Sequence, residues 1–211
     1  MLGCRQRRCR PALPERLVRF IENHDEPRAA ATFAAAKERA AAVAIATLTG
    51  ARLFYEGQFE GRRVRLPVFL GRRPDEPVDE ELRTFYGKLL ETVKSGVFRD
   101  GQWNLCDCSG WADNQSFRNL VAWSWVSKDD RYLIVVNLSG GAAQGHVHPT
   151  WDDVREETWR LTDSLSCVSY DRTGNEIQAD GLYVELAPWG RHFLQCRQPH
   201  RARTKTGAFR A

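Results

Sequence analysis

"RLVRFIENHDEPRAAATF", Arg16 to Phe33, decides how the first half of this 211-residue chain is read. An apolar run, Leu17 to Glu22, stops abruptly at Glu22-Asn23-His24-Asp25-Glu26, and alanine-rich sequence follows. Strand, polar loop and helix in that order make one βα unit. The run over 17–22 predicts a strand. The segment Ala30 to Thr49, "AATFAAAKERAAAVAIATLT", predicts a helix. Alanine loses no side-chain freedom in a helix, and Thr49-Gly50 supplies the stop.

The pattern then repeats. Ala51 to Tyr55 predicts a second strand and Asp79 to Val93 a second helix, with Asp79 as its N-cap after Pro77. Leu82, Phe85, Tyr86, Leu89, Leu90 and Val93 recur at three- and four-residue spacing, so one face of that helix is apolar. Past Ser95-Gly96 the texture changes to short aromatic and β-branched segments separated by turn residues. Strands are expected at 97–105, 120–127, 132–138, 143–148, 157–161, 182–186 and 192–196, with turns at "KDDR" (128–131), "SGG" (139–141), "DRTGN" (171–175) and "ADG" (179–181). This is the pattern of an antiparallel β-sandwich. The expected organisation is a basic N-terminal segment over 1–14, an α/β segment over 15–95, a β-sandwich over 96–197 and a basic tail over 198–211.

Composition narrows the classes. A hydrophobic fraction of 42% can fill a core. No apolar run approaches the roughly 18 to 20 residues that cross a bilayer, so no membrane partner is expected. The net charge of +4 is concentrated near the two ends, as "RQRRCR" and "RQPHRARTKTGAFR". Without a reading element these give only salt-sensitive phosphate attraction, and no specific nucleic-acid partner is expected. Arginines near Met1 are followed by prolines and charge rather than an apolar h-region, so secretion is unsupported. The six cysteines, Cys4, Cys9, Cys106, Cys108, Cys167 and Cys196, match neither zinc knuckles nor a disulfide scaffold, which points to reduced thiols in a cytoplasm. Cys106 and Cys108 would share one face of a strand as small hydrophobes. His146 and His148 in "GHVHP" also share a face but lack a third ligand, and no metal or cofactor is expected.

Two βα units bury too little to stand as a parallel sheet alone, which suggests the end of a longer α/β protein. "RFIENHDEPRAAATF", followed one helix later by "LTGARLFYEGQFEG", resembles the seventh and eighth βα units of the barrel in the α-amylase family of glycoside hydrolases. "LRTFYGKLLE" is similar to a last barrel helix, and "LVAWSW" and "RYLIVVNLS" fall where a terminal all-β domain follows. The resemblance covers about Arg16 to Arg197. It implies a partial (β/α)8 barrel of two βα units followed by the sandwich, in a protein acting on α-glucans or maltooligosaccharides.

The resemblance also implies roles. Asp25 would be the carboxylate that hydrogen-bonds the ring hydroxyls of the sugar being cleaved and favours its oxocarbenium-like form, and His24 would bind the same sugar. Asn23, as a substrate contact, and Glu26 rank below them, either able simply to orient its neighbours. Hydrogen bonds beside the reacting carbon strengthen as positive charge develops there. The nucleophile and general acid belong to earlier strands of the family barrel, and Asp129-Asp130, Asp152-Asp153 and Glu156-Glu157 read as solvated surface. The chain alone is therefore expected to lack hydrolase activity and to associate through exposed barrel edges.

Two plainer readings stand beside this one. Asn, Asp and Pro after a strand are ordinary turn chemistry, and Asp25 or Asn23 would then only cap the following helix. All seven tryptophans fall after Ser95, and an all-β domain with exposed tryptophans serves as a carbohydrate-binding or protein-interaction module. Trp103, Trp111 and Trp151 lie nearest turns, whereas Trp123 and Trp125 read as core, with Val121 and Val126 on the other side.

Overall fold

The computed structural model describes residues 16–67, 69, 71–128 and 130–198. The basic segments expected at 1–14 and 198–211 lie outside these residues, except Gln198, as do Cys4, Cys9 and Asp129.

The first unit runs from β1 (Val18–Arg19) through α1 (Ala29–Thr32) and α2 (Ala35–Thr47) to β2 (Ala51–Arg52), which pairs parallel with β1. Both strands are shorter than their apolar runs, because backbone pairing extends only from Leu17 to Leu53 through Ala51 N–H to Leu17 O and Leu53 N–H to Arg19 O. The single helix expected over 30–49 is broken at Phe33 and Ala34, both extended. Neither residue breaks helices by propensity. The Lys37 ammonium instead sits over the rings of both Phe33 and Trp189, 4.9 and 5.1 Å from their centroids, a tertiary contact that overrides propensity here. At the other end of α2, Gly50 takes φ 103° and the Trp125 indole donates to the Thr47 carbonyl at 2.5 Å.

Helix α3 (Glu80–Val93) forms as its periodicity predicts, with the Asp79 carboxylate accepting the Leu82 N–H at 2.9 Å. The strand expected from Val97 is corrected: α4 (Val97–Asp100) is one helical turn, closed by Gly101 N–H to Val97 O at 2.9 Å. Val97 and Phe98 looked like strand residues because both are apolar. Both are buried on this single helical turn.

The β half is antiparallel throughout. It comprises β3 (Gln102–Ser109), β4 (Leu120–Val126), β5 (Arg131–Asn137), β6 (Ala143–His148), β7 (Thr158–Asp163), β8 (Ser169–Thr173), β9 (Leu182–Leu186) and β10 (Arg191–Arg197), with α5 (Gly174–Ala179) between β8 and β9. Expected as a sandwich, it is one continuous eight-stranded curled sheet in the order β8-β7-β10-β5-β4-β3-β6-β9. The turn expected at 171–175 is corrected to the end of β8 and the start of α5. Thr173 and Glu176 form a capping box there, and a Cβ on Gly174 would overlap the Val154 carbonyl.

The middle of the sheet is covered on both faces, which explains the unbroken apolar run Leu133-Ile134-Val135-Val136 in β5, whereas the edge strand β8 is exposed throughout. Inside the curl, Leu120, Ala122, Leu133, Val135, Val147, Leu161, Val184 and Leu194 pack together. On the other face Trp123, Ile134, Val136 and Phe193 pack against Val43 and Ala46 of α2 and Phe85 and Leu89 of α3. Residues on both sides of Ser95 thus share one core. Val121 lies on the same side as Trp123 and Trp125, not opposite them, and Val126 packs inside the curl. Trp151, expected near the surface, is 4% exposed because it lies inside the curl under the Arg131 guanidinium, 5.0 Å from its ring centroid.

Candidate functional site

Because β1 and β2 are parallel, the loops that follow them leave from the same end of the pair. The first loop carries Glu22 to Pro27 and the second carries Tyr55 to Gln58. Glu22 turns inward. Its carboxylate accepts the Ala29 N–H at 2.5 Å, capping α1, and pairs with Arg28 at 3.2 Å, the two side chains being 1% and 3% exposed. Arg28 in turn donates to the Glu56 carbonyl at 2.8 Å and the Arg62 carbonyl at 3.2 Å, and its guanidinium lies 4.9 Å from the Tyr55 ring centroid. Gly57 has φ 80°, and a Cβ there would meet Arg28 Nη2 at 2.8 Å, so the second loop must carry glycine where the arginine crosses. Gln58 closes the base, accepting the Tyr55 N–H at 3.1 Å and donating to the Tyr86 hydroxyl at 2.8 Å.

Above this buried frame, Asn23 Oδ1 accepts the N–H groups of Asp25 at 2.7 Å and Glu26 at 3.0 Å. Asn23 is thus an Asx turn that shapes the loop. Neither Asn23 nor Asp25 caps the helix, a role that falls to Glu22. His24 and Asp25 are 59% and 72% exposed and touch each other, Nε2 to Oδ2, at 3.2 Å. Arg65 donates to the His24 carbonyl at 3.3 Å. The structure therefore brings a hydrogen-bond donor and a carboxylate together, open to solvent, on a loop fixed from below.

No protein-family model matches the sequence. Over 143 residues the chain is 36% identical to α-amylase MalA of Haloarcula japonica, a match covering 65% of this chain and 20% of that enzyme. Among solved structures it is similar to the maltogenic α-amylase AmyB of Thermotoga neapolitana, with TM-score 0.70, 16% identity, and coverage of 87% of this chain and 41% of that one. It is also similar to the Geobacillus thermoleovorans α-amylase complexed with acarbose, with TM-score 0.65, 16% identity, and coverage of 89% and 40%. The chain thus resembles enzymes of the α-amylase family of glycoside hydrolases. It spans about a fifth of the curated relative and about two fifths of these structural neighbours, whose C-terminal regions it matches.

The residues of these loops that sequence reasoning missed are Glu22, Arg28, Tyr55 and Gln58. The only signal for Glu22 and Arg28 was opposite charge at the two ends of "ENHDEPR", and spacing does not say which charges turn inward. A second hidden acid lies nearby. Glu38 on α2 is 4% exposed, with one carboxylate oxygen left without a partner. Burial pushes its pKa up to about 7. Glu22 and Asp79 push in the same direction, against Arg39 and Arg63. Glu22 is itself held above the usual range by burial, against the Ala29 N–H and Arg28.

The sign of the resulting pH dependence follows. A carboxyl that titrates near 7 when folded and near 4.5 when unfolded binds more protons in the folded state between those values. Its contribution is therefore most favourable below pH 4.5 and is lost as pH rises to 7. At about 1.4 kcal/mol per pH unit the loss approaches about 3.5 kcal/mol above pH 7. Glu38→Gln should stabilise the chain by up to that amount at pH 8 and hardly at all at pH 4.5. Urea unfolding at both pH values measures this, and equal effects at the two would contradict it.

Elsewhere the candidates read from sequence separate. His148 Nε2 meets Ser109 Oγ at 2.7 Å, whereas His146 packs edge-on to Trp111 and Tyr183. Among the described residues no group of three His, Cys, Asp or Glu could hold a metal ion. Burial pushes the Cys106 thiol up to about 12 and the Cys108 thiol up to about 11, so neither supplies a thiolate near neutral pH. Asp130 and Asp153 are committed to Arg197 and Arg131. Among the described residues no helix is long and apolar enough to cross a membrane.

Proposed function

We propose that this chain is the C-terminal portion of an α-amylase-like glycoside hydrolase acting on α-glucans or maltooligosaccharides. Residues 15–95 supply the last two βα units of a catalytic barrel, and residues 96–197 supply the terminal all-β domain, the curled eight-stranded sheet. The observation that carries this reading is the solvent-open His24–Asp25 pair on a loop at the C-terminal end of a parallel strand, which is where barrel enzymes place their chemistry. Asp25 binds the hydroxyls of the sugar being cleaved, His24 binds the same sugar, and Asn23 sets the geometry of both. The names of the relatives, α-amylases in each case and one bound to acarbose, support the substrate class.

Retaining hydrolysis needs a nucleophile and a general acid about 5 to 5.5 Å apart. In this proposal both come from preceding strands outside this chain, so the 211 residues alone are inactive. Leu17, Val18 and Leu53, 44%, 56% and 39% exposed, lie along the β1–β2 pair where those strands would pack, and the chain alone associates through this surface. The four described cysteines are all free, which supports a reducing, cytoplasmic setting.

The test is a chimera in which residues 16–198 replace the matching segment of the Haloarcula enzyme. We expect the chimera to hydrolyse maltooligosaccharides and the 211-residue chain to release none. A folded but inert chimera, or turnover by the chain alone, would overturn the proposal. One observation favours a second reading, a non-catalytic carbohydrate-binding module. Of Trp103, Trp111 and Trp151, Trp111 is 40% exposed and meets Tyr183 at its edge. Maltooligosaccharide binding by the chain that is lost in Trp111→Ala but indifferent to Asp25→Ala would select that reading.

A further inference from the structure

We propose that the cleft between α3 and the start of β10 is a binding site for a phosphate group, held by Arg191, Arg39 and Lys88. The cleft has a volume of about 800 Å³ and lies away from the β1–β2 loops. Its floor is the Phe85 ring, with the Arg191 and Arg39 guanidinium carbons 5.0 and 6.0 Å from the ring centroid. Two like charges thus converge on one aromatic face. Each guanidinium also has a buried Nε without a hydrogen-bond partner.

Of the carboxylates lining the cleft, only Glu81 forms an ion pair with one of the three cations, Arg39. Asp163 accepts from Phe193 N–H at 3.2 Å, Leu165 N–H at 2.9 Å and Ser166 N–H at 3.0 Å, and meets His192 Nδ1 at 3.1 Å. Glu81, 86% exposed, reaches only Arg39, at 3.2 Å, and Glu80 pairs with Arg83 at 3.5 Å. Among the described residues no carboxylate forms an ion pair with Arg191, and Lys88 Nζ has only the Leu165 carbonyl, at 3.4 Å. Burial first, and the Arg39 charge second, lower the Arg191 pKa, with Asp163 working against them.

A partly buried cation with a like-charged neighbour is costly unless an anion neutralises it. A carboxylate is already offered to Arg39 from solvent. The surplus on Arg191 and Lys88 instead matches a dianion with several acceptor oxygens, and guanidinium forks suit phosphate. The volume exceeds the needs of a bare ion, so both free phosphate and the phosphate of a small monoester fit the chemistry.

Thermal unfolding and calorimetry of the full 211-residue chain test the site, with inorganic phosphate, glucose 6-phosphate and glucose as separate probes at matched ionic strength. Phosphate is expected to raise the unfolding temperature saturably where chloride does not, and glucose to have no effect. Arg191→Gln should weaken phosphate at least tenfold. Tighter binding of glucose 6-phosphate would identify a monoester site, and equal binding a site that reads the phosphate alone. Should Arg191→Gln fail to fold, Arg39→Gln and Lys88→Gln must each weaken phosphate at least threefold. No saturable response to phosphate, or unaltered affinity in these variants, would overturn the assignment.

Discussion

Arg28→Ala should cost about 3 to 5 kcal/mol of folding stability, the range for removing one partner of a buried ion pair. Arg28 and Glu22 are almost fully buried and in contact, so truncating the arginine leaves a carboxylate without its counter-charge. It also frees the Glu56 and Arg62 carbonyls and empties the space over Tyr55. The Glu22 pKa, already raised by burial, should rise further once Arg28 is gone. Part of the deficit is therefore recovered by lowering the pH, because a protonated Glu22 no longer needs a partner. The double variant Glu22→Gln/Arg28→Ala separates the charge from the packing. An amide can still accept the Ala29 N–H, so the double variant should regain at least half of what Arg28→Ala loses at pH 7. Urea unfolding of the parent and the two variants measures this. An Arg28→Ala chain within about 1 kcal/mol of the parent would remove the claim that this pair fixes the loop.

Glu22 and Arg28 mark the limit of what the sequence made legible. Elements whose cause is local could be read: α3 from its apolar spacing and its Asp79 cap, β5 from a short β-branched run between turn residues, and the antiparallel half from its turn spacing. Three kinds of cause hid the rest. The break at Phe33 comes from Lys37 and Trp189, the latter far away in sequence, so propensity could not show it. At 171–175 the signal was present but outweighed, since Thr173 and Glu176 have capping-box spacing while Gly174 and Asn175 suggested a turn. At the site, exposed His24 and Asp25 stand out as a polar break after an apolar run. The pair that positions them depends on the path of the β2 loop, 28 or more residues away.

In the active chimera, Asp25→Ala should lower kcat/KM for maltooligosaccharides by at least a thousandfold, equivalent to about 4 kcal/mol of transition-state stabilisation. The structure makes this a clean test, because Asp25 does little for the fold. Its carboxylate is 72% exposed, and its one ion-pair partner is the equally open His24. Exposed pairs of this kind contribute about 0 to 1 kcal/mol, so the variant should unfold within that margin of its parent. A large loss of rate with little loss of stability would assign Asp25 to chemistry, whereas loss of both would return the loop to an ordinary turn. The fall should appear mainly in kcat, since hydrogen bonds to the sugar hydroxyls tighten as positive charge develops at the reacting carbon. His24→Ala, which removes a second contact to the same sugar, should cost less, on the order of ten- to a hundredfold, and Asn23→Ala should act through loop geometry and so also lower stability. If Asp25→Ala leaves kcat within tenfold of the parent chimera, the resemblance of "ENHDEPR" to an active-site loop carries no catalytic meaning in this chain.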